Sequence, residues 1–216
     1  MELQHREPEP SLEELSPEEF QLLYGPWQPL LPAELLKLFE DAPFKWWIAG
    51  GQALTAAGVT DRPHEDLDVA VLARDLVEVR QWLAGYHVWE ASRGGLRPLR
   101  PNETLTDGCE QLWVRRNALS PWVMDVLLTP TDGDEWLFKR NHAVRRPLSE
   151  IGRLGADGVP YLSPEIVLLF KASLLRQKDE ADFAAVIPSF DAATRQWLAT
   201  ALAVAHPGHH WEAQLT

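Results

Sequence analysis

The alternation of apolar and polar residues between residues 44 and 72 predicts a strand, a short helix and a second strand. An apolar run, Phe44–Ala49, predicts the first strand. Gly50 and Gly51 interrupt this run and are expected to open a short helix, which Gly58 ends.

The second strand carries two carboxylates on one face. Successive side chains of a strand point to opposite sides, so Leu67 and Val69 point one way and Asp66 and Asp68 the other. The pattern therefore predicts two like charges side by side on a strand that is otherwise apolar.

The middle of the chain continues with a helix and then mostly strands. Residues Ala73–Gly85 have the periodicity of an amphipathic helix. Residues 110–130 read as two strands joined at NALSP, and Asp125 interrupts the apolar run of the second one. A further strand is expected near Trp136–Phe138.

The last third of the chain has helical periodicity. Ser163 is a candidate N-cap with Pro164 at the first helical position, and a long helix is predicted from Glu165 to about Phe183. A last helix is predicted over Ala192–Ala205.

These elements predict an α/β (α+β) fold, with a small mixed β-sheet core and a helical C-terminal subdomain. The glycine-rich connection at residues 151–161 is the predicted boundary. The predicted division is an N-terminal extension at 1–28, a core domain at 29–158 and the helical subdomain at 159–216. A short helix opened by Ser16 is expected within the extension.

Composition narrows the class of protein. The 216 residues contain 32 Asp and Glu against 20 Lys and Arg, a balance that does not favour an extended nucleic-acid interface. Cys109 is the only cysteine, which excludes an internal disulfide and a thiolate zinc cluster. The polar, acidic start has no secretory leader and the longest apolar run, Ile166–Phe170, is too short for a membrane span, so a soluble cytoplasmic protein is expected.

The paired aspartates and the paired glycines suggest complementary chemistry. Two aspartates two residues apart on a strand lie with their Cα atoms about 6–7 Å apart, and a site that keeps both ionised usually binds a divalent metal, an Arg or a Lys. Magnesium suits such a pair, because it takes a few carboxylate oxygens and completes its shell with water and phosphate oxygens. The Gly50-Gly51 turn lets the backbone approach a ligand closely, and the helix that follows directs free N–H groups toward an anion.

The run AGGQAL, then RPHEDLDVAVLARDL, and a later Asp125 resemble the pattern of the DNA polymerase β-like nucleotidyltransferase superfamily. The likeness is closest to the aminoglycoside 2″-nucleotidyltransferases and their lincosamide-modifying relatives. YLSPEIVLLFKASLLRQKDEADFAAVIP is similar to the C-terminal helical segment of the same group. The resemblance spans about Phe44 to Pro188. It departs from many superfamily members in having a second glycine and Gln52 where they have a serine.

The resemblance implies a magnesium-dependent enzyme that transfers a nucleoside monophosphate, AMP from ATP above all, to a hydroxyl of a small molecule such as an aminated sugar. It implies that Asp66, Asp68 and Asp125 are metal ligands and catalytic residues, with Asp125 also a candidate base. It makes Gly50, Gly51 and Gln52 the turn that binds the triphosphate of the nucleotide co-substrate. Two alternatives stay open: a macromolecular acceptor, tRNA or protein, and a catalytically silent nucleotide-binding domain. The sequence leaves nucleotide preference and oligomeric state undetermined.

Several other residues have two readings. Lys171, amid apolar residues, is expected to bind a phosphate, although it could instead pair with a nearby acid such as Asp182. Arg62 and His64 could order the nucleotide or metal surroundings, or be surface groups.

The tryptophans are expected in the core and along a groove, where one could stack on a base or a sugar. The histidines near the C-terminus are expected to belong to a frayed tail. Acidic residues could form a cleft for a polycation; they are Glu103, Asp107, Glu110, Asp132, Asp134 and Glu135.

Overall fold

The computed structural model describes residues 15–59, 63–92 and 94–215. The α-helices of this part are α1 (Pro17–Tyr24), α2 (Pro32–Leu38), α3 (Gly50–Ala56), α4 (Leu76–Trp82), α5 (Pro164–Lys171), α6 (Gln177–Val186), α7 (Ala192–Ala205) and α8 (Glu212–Leu215). The strands are β1 (Trp46–Ile48), β2 (Asp68–Leu72), β3 (His87–Ser92), β4 (Gly95–Pro98), β5 (Gln111–Arg115), β6 (Trp122–Thr129), β7 (Thr131–Asp132), β8 (Glu135–Leu137), β9 (Arg145–Pro147), β10 (Gly152–Leu154) and β11 (Pro160–Leu162).

Eight of these strands form one mixed sheet in the order β10-β11-β1-β2-β6-β5-β3-β4. Strand β1 runs antiparallel to β2 and parallel to β11, while β2 and β6 are parallel neighbours. Strands β7, β8 and β9 form a separate small sheet. The predicted α/β class with a mixed sheet is confirmed.

One face of the sheet at β1 and β2 is covered by helices α2 and α4. The ring of Phe39, directly after α2, lies 5.3 Å from that of Trp46 in β1. The indole of Trp82 in α4 donates a hydrogen bond of 2.8 Å to the Leu38 carbonyl. Because side chains alternate along β2, Val69 and Val71 point to this covered face and Asp68 points to the other.

The predicted long helix from Glu165 to Phe183 is wrong, because the chain turns between α5 and α6. Leu175 takes a left-handed conformation, with φ of 49°, and Arg176 is extended, so the helical hydrogen-bond ladder stops there. The side chain of Asp179 accepts from the Arg176 backbone N–H and caps the start of α6. The turn folds α6 back onto α5, and α6 also packs against α3.

The predicted boundary between residues 158 and 159 falls inside the hairpin of β10 and β11. Both strands belong to the main sheet, with Arg153 paired to Tyr161. The helices that follow are therefore joined to the sheet by a strand of that sheet.

The N-terminal extension is only partly described, since residues 1–14 lie outside the described range. Helix α1 begins after Ser16, whose side chain caps it as the sequence predicts. The chain then runs beside β6, where the N–H of Gln28 donates to the Trp122 carbonyl at 2.9 Å.

The C-terminal histidines do not belong to a frayed tail. His209 Nε2 lies 3.0 Å from the Ala172 carbonyl oxygen, and His210 Nε2 lies 3.1 Å from a Glu180 carboxylate oxygen. Trp211 is fully buried and stacks on Phe183 with ring centroids 4.2 Å apart. Burial of this aromatic pair fixes the last turn of the chain to α6.

Within the described residues, each helix is too short or too polar to cross a lipid bilayer.

Candidate active site

Two of the predicted carboxylates, Asp68 and Asp125, stand side by side on adjacent parallel strands. They are paired residues in the register of β2 and β6, and the Asp125 N–H donates to the Leu67 carbonyl at 2.8 Å. Residues paired in this way project to the same face of the sheet. Asp125 is 6% exposed, whereas Asp66, which lies just before β2, is exposed.

Burial and mutual repulsion raise the pKa values of the two neighbouring carboxylates. Burial, and then the charge of Asp66, raise the pKa of Asp68 to about 7, although Lys171 and Arg176 partly oppose the rise. Burial and the charge of Asp68 likewise raise the pKa of Asp125 well above its usual range. Each shift records a carboxylate that would be ionised more easily with a cation beside it.

Gly50 has a conformation and a neighbour that only glycine accommodates. Its φ is +58°, in the left-handed region. A Cβ atom at this position would lie 1.9 Å from Asp68 Oδ2. The first glycine of the predicted turn therefore lets the backbone pass directly against the Asp68 carboxylate.

Gln52 holds the turn that carries Asp66. Its side-chain amide donates a hydrogen bond of 3.0 Å to the Asp66 carbonyl. Gly50, Gly51 and Gln52 form the first turn of α3, where backbone N–H groups have no acceptor within the helix. Their binding of a triphosphate stays a prediction.

Lys171 does not have the environment predicted for a phosphate ligand. It is buried, and its Nζ lies 3.0 Å from Asp179 Oδ1 and 2.9 Å from Asp182 Oδ2. The pairing with a nearby acid, which the sequence left as the alternative, is the one observed. A buried ammonium needs such partners, because removing it from water without them is costly.

Two other cations at the start of α6 face the carboxylates, and sequence reasoning did not single them out as ligands. The positive charges of Arg176 and Lys178 both lower the pKa of Asp68. Arg176 is oriented by Asp179, with Nε 2.8 Å from Asp179 Oδ2. Burial alone would raise the pKa of Asp179, but its hydrogen bonds with Arg176 and Lys171 outweigh that effect and lower it.

Strand β5 supplies two further residues that sequence reasoning missed, Gln111 and Trp113. The Gln111 amide donates a hydrogen bond to Asp125 Oδ2. Trp113 is the paired neighbour of Asp125 across β5 and β6. Alternation along β5 places both side chains on one face, but the sequence gave no register to connect that face with Asp125.

The remaining candidates lie in different surroundings. His64 Nε2 is 2.9 Å from Thr55 Oγ1, and Arg62 lies outside the described residues. The predicted acidic cleft is largely neutralised by basic partners. Its ion pairs are Glu103 with Arg97, Glu110 with Lys139, and Asp132 and Glu135 with Arg145.

The carboxylates suit a hard divalent cation. Among the described residues, no group makes a well-aligned hydrogen bond to the buried Asp125 Oδ1, and the Asp68 carboxylate lies directly against the Gly50 backbone. Across the described residues, no three His, Cys, Asp or Glu side chains form a ready-made metal site. Magnesium does not require one, because one or two carboxylates, water and phosphate oxygens complete its shell.

The fold is similar to that of the antibiotic-resistance factor ANT(2″)-Ia. The solution structure of the antibiotic-resistance factor ANT(2″)-Ia aligns with a TM-score of 0.51 and 16% identity, over 79% of this chain and 88% of that one. A crystal structure of ANT(2″)-Ia with adenylyl-2″-tobramycin aligns with a TM-score of 0.51 and 13% identity, over 78% and 93%. A lincomycin-bound lincosamide adenylyltransferase, LnuA, aligns with a TM-score of 0.47 and 19% identity, over 69% and 90%.

Part of the sequence also matches a protein-family model. Residues 33–109 match the aminoglycoside-2″-adenylyltransferase family model, a segment that contains Gly50, Asp66 and Asp68 and ends before Asp125. Curated protein sequences give no match. The resemblance to the aminoglycoside 2″-nucleotidyltransferases is confirmed.

Proposed function

We propose that this protein transfers a nucleoside monophosphate, AMP from ATP, to a hydroxyl of a small aminated acceptor and releases pyrophosphate. The observation that carries the proposal is the pairing of Asp68 with Asp125 beside the Gly50 turn. A family match over residues 33–109 and the ANT(2″)-Ia fold support nucleotidyl transfer to an antibiotic.

Magnesium is the proposed metal cofactor, and Asp66, Asp68 and Asp125 are its proposed ligands. Bound there, it would neutralise the triphosphate and the charge that develops on the leaving pyrophosphate. The raised pKa values of Asp68 and Asp125 support the assignment, because a cation relieves both burial and mutual repulsion.

The chain supplies further groups for the triphosphate. The first turn of α3 directs the N–H groups of Gly50 and Gly51 toward it, and Arg176 and Lys178 add positive charge from the opposite helix α6. These two cations take the role first expected for Lys171, whose charge is already matched by Asp179 and Asp182.

Asp125 is the proposed base. It is held rigidly in β6 and fixed at one carboxylate oxygen by Gln111. Burial and the charge of Asp68 raise its pKa, which makes the ionised carboxylate a stronger proton acceptor for the attacking hydroxyl. The acceptor oxygen then attacks the α-phosphorus in line with the departing pyrophosphate.

The decisive experiment is a screen of the four nucleoside triphosphates, each with magnesium, against aminoglycosides and lincosamides. Mass spectrometry detects the adduct, and a coupled assay detects pyrophosphate. We expect an adduct heavier by one nucleoside monophosphate, formed at equal stoichiometry with pyrophosphate. Asp68→Asn, purified in parallel, should form none.

A different pattern would redirect the proposal. Adducts on tRNA or protein, with none on the antibiotics, would support a macromolecular acceptor. Nucleotide-dependent thermal stabilisation without any adduct would support a silent nucleotide-binding domain. Either result overturns the small-molecule assignment.

A further inference from the structure

Asp179 is the centre of a buried group of charges at the start of α6. Its side chain is fully buried, and its Oδ1 lies 3.0 Å from Lys171 Nζ. The other oxygen, Oδ2, accepts from Arg176 Nε at 2.8 Å and from the Arg176 backbone N–H at 3.3 Å. Arg176 Nη2 also donates to Oδ1, at 3.2 Å. The carboxylate therefore holds both the backbone and the guanidinium of Arg176.

The two cations beside Asp179 differ in their access to a ligand. Lys171 is buried between Asp179 and Asp182, so its ammonium is confined to the interior. The side chain of Arg176 is 47% exposed. Arginine has five N–H donors, and Asp179 takes two of them through Nε and Nη2, so further donors remain for an anion.

Arg176 lies near the proposed metal ligands. Helix α6 packs against α3, whose first residue, Gly50, lies directly against the Asp68 carboxylate. The hydrogen bond with Asp179 raises the pKa of Arg176, and the charges of Asp66 and Asp68 raise it further. The guanidinium is therefore within electrostatic reach of the point where the triphosphate is proposed to bind.

The backbone before Arg176 is held in an unfavourable conformation. Leu175 has a φ of 49°, in the left-handed region, which is costly for a residue with a Cβ atom. Its side chain is 49% exposed, so burial does little to offset that cost. Strained backbone persists where the surrounding contacts enforce it, and it is concentrated at functional sites. Asp179 supplies such contacts, because it accepts from the backbone and the side chain of the next residue.

We propose that Asp179 is a positioning residue for the nucleotide: it holds Arg176 in the orientation that binds the triphosphate. This inference rests on the proposed function and adds a residue that acts through Arg176 without touching the ligand. A long side chain loses conformational freedom when it binds a ligand, and holding it beforehand removes that cost. Lys171 serves the same arrangement, since it neutralises and fixes the Asp179 carboxylate in the interior.

The test compares Asp179→Asn with a matched control, Asp182→Asn. Both aspartates are buried in α6 and form an ion pair with Lys171, so each substitution removes one partner of the same cation. Calorimetry with ATP and magnesium, without an acceptor, measures nucleotide affinity. We expect Asp179→Asn to lower this affinity about 2- to 12-fold, the cost of ordering one long side chain on binding. Asp182→Asn should keep the wild-type affinity, although both variants lose stability to denaturant.

A double-mutant cycle shows whether Asp179 acts through Arg176. Arg176→Met should lower the affinity for ATP about 10-fold or more, because it removes a charge-assisted hydrogen bond. In that background, Asp179→Asn should cause no further loss, since no guanidinium is left to orient. In steady-state kinetics, Asp179→Asn should raise KM for the nucleotide and leave KM for the acceptor unchanged.

Asp179→Glu provides a second variant if Asp179→Asn does not fold. It keeps a negative charge beside Lys171 but changes the geometry of the contacts with Arg176. We expect the same lowered affinity for ATP in this variant.

The results separate this inference from the proposed function. Wild-type protein that forms no adduct with any acceptor overturns the proposed function. Wild-type protein that forms an adduct, with the Asp179 variants equal to it in ATP affinity, overturns the positioning role alone. Additive losses in the double variant also overturn that role. Equal losses of ATP affinity in Asp179→Asn and Asp182→Asn do the same, since they would show a general effect on α6.

Discussion

Asp68 and Asp125 occupy paired positions on the parallel strands β2 and β6, so two carboxylates from distant parts of the chain share one face of the sheet. Among the described residues, Lys171 forms ion pairs with Asp179 and Asp182, whereas neither Asp68 nor Asp125 forms an ion pair. The proposed metal would supply positive charge at this point, and four predictions follow from that proposal.

Replacing either paired carboxylate should remove activity and leave the fold intact. Asp68→Asn removes a proposed metal ligand and Asp125→Asn removes the proposed base, and each is expected to lower kcat about 10²- to 10⁴-fold. Steady-state kinetics on the acceptor found in the screen measures the loss, and circular dichroism verifies the fold. Near-wild-type turnover by either variant would contradict the site.

The metal-free protein should lose stability as pH rises, because of Asp68. Its pKa is about 7 in the folded protein against an ordinary value of 3.8, so its contribution is full below about pH 4 and is lost as pH rises through 7. Asp68→Asn removes this contribution, while Asp125, whose pKa is raised first of all by burial, still contributes in the same direction. In EDTA, we expect Asp68→Asn to unfold at a higher temperature than wild type at pH 8, and the difference to shrink at pH 5.

That comparison also removes an opposing contribution. Burial lowers the pKa of His206 and His209, so these groups destabilise the protein as pH falls below about 6.5, in wild type and variant alike. Adding magnesium should stabilise wild type more at pH 8 than at pH 5 and leave Asp68→Asn little changed. Parallel melting curves for the two proteins at every pH would argue against a strained Asp68.

Lys171 and Lys178 should have separable roles. Lys171→Met leaves two buried aspartates without their shared cation and should destabilise the protein by about 3 kcal/mol or more. Lys178→Met, at an exposed position, should change stability by less than about 0.5 kcal/mol but raise KM for the nucleotide. Denaturant unfolding and kinetics on both variants measure this. If Lys171→Met kept its stability but had a raised KM for the nucleotide, Lys171 would be a phosphate ligand after all.

Gly50 should tolerate no side chain. Gly50→Ala places a Cβ against Asp68 Oδ2 and should displace that carboxylate, lowering kcat about 10²-fold. Gly58→Ala is the matched control: its φ of +73° also favours glycine, but its Cβ would enter open space. We expect Gly58→Ala to lose about 1 kcal/mol of stability and keep its activity. Similar activity in both variants would show that only backbone strain matters at Gly50.

The parts of the site predicted from sequence are those whose evidence lies within a short segment. Alternation in the second strand predicted which face of the sheet Asp68 points to, and the glycine pair predicted the turn at the start of α3. The prediction of one long helix was wrong because the residues that end it do not interrupt the local apolar pattern. Its apolar periodicity continues from α5 into α6, whereas the turn depends on Leu175 and on capping of Arg176 by Asp179.

The sequence by itself determined which residues could bind a metal and an anion, because side-chain chemistry and strand alternation are local properties. Only the tertiary structure decided which of them meet. Register between β2 and β6 brought Asp125 to Asp68, and register between β5 and β6 brought Gln111 and Trp113 to Asp125. Because α6 folds onto α5, Lys171 forms ion pairs with two buried aspartates, whereas the sequence predicted that it binds a phosphate. Strand pairing and helix docking join residues far apart in the chain, and no local pattern encodes those partners.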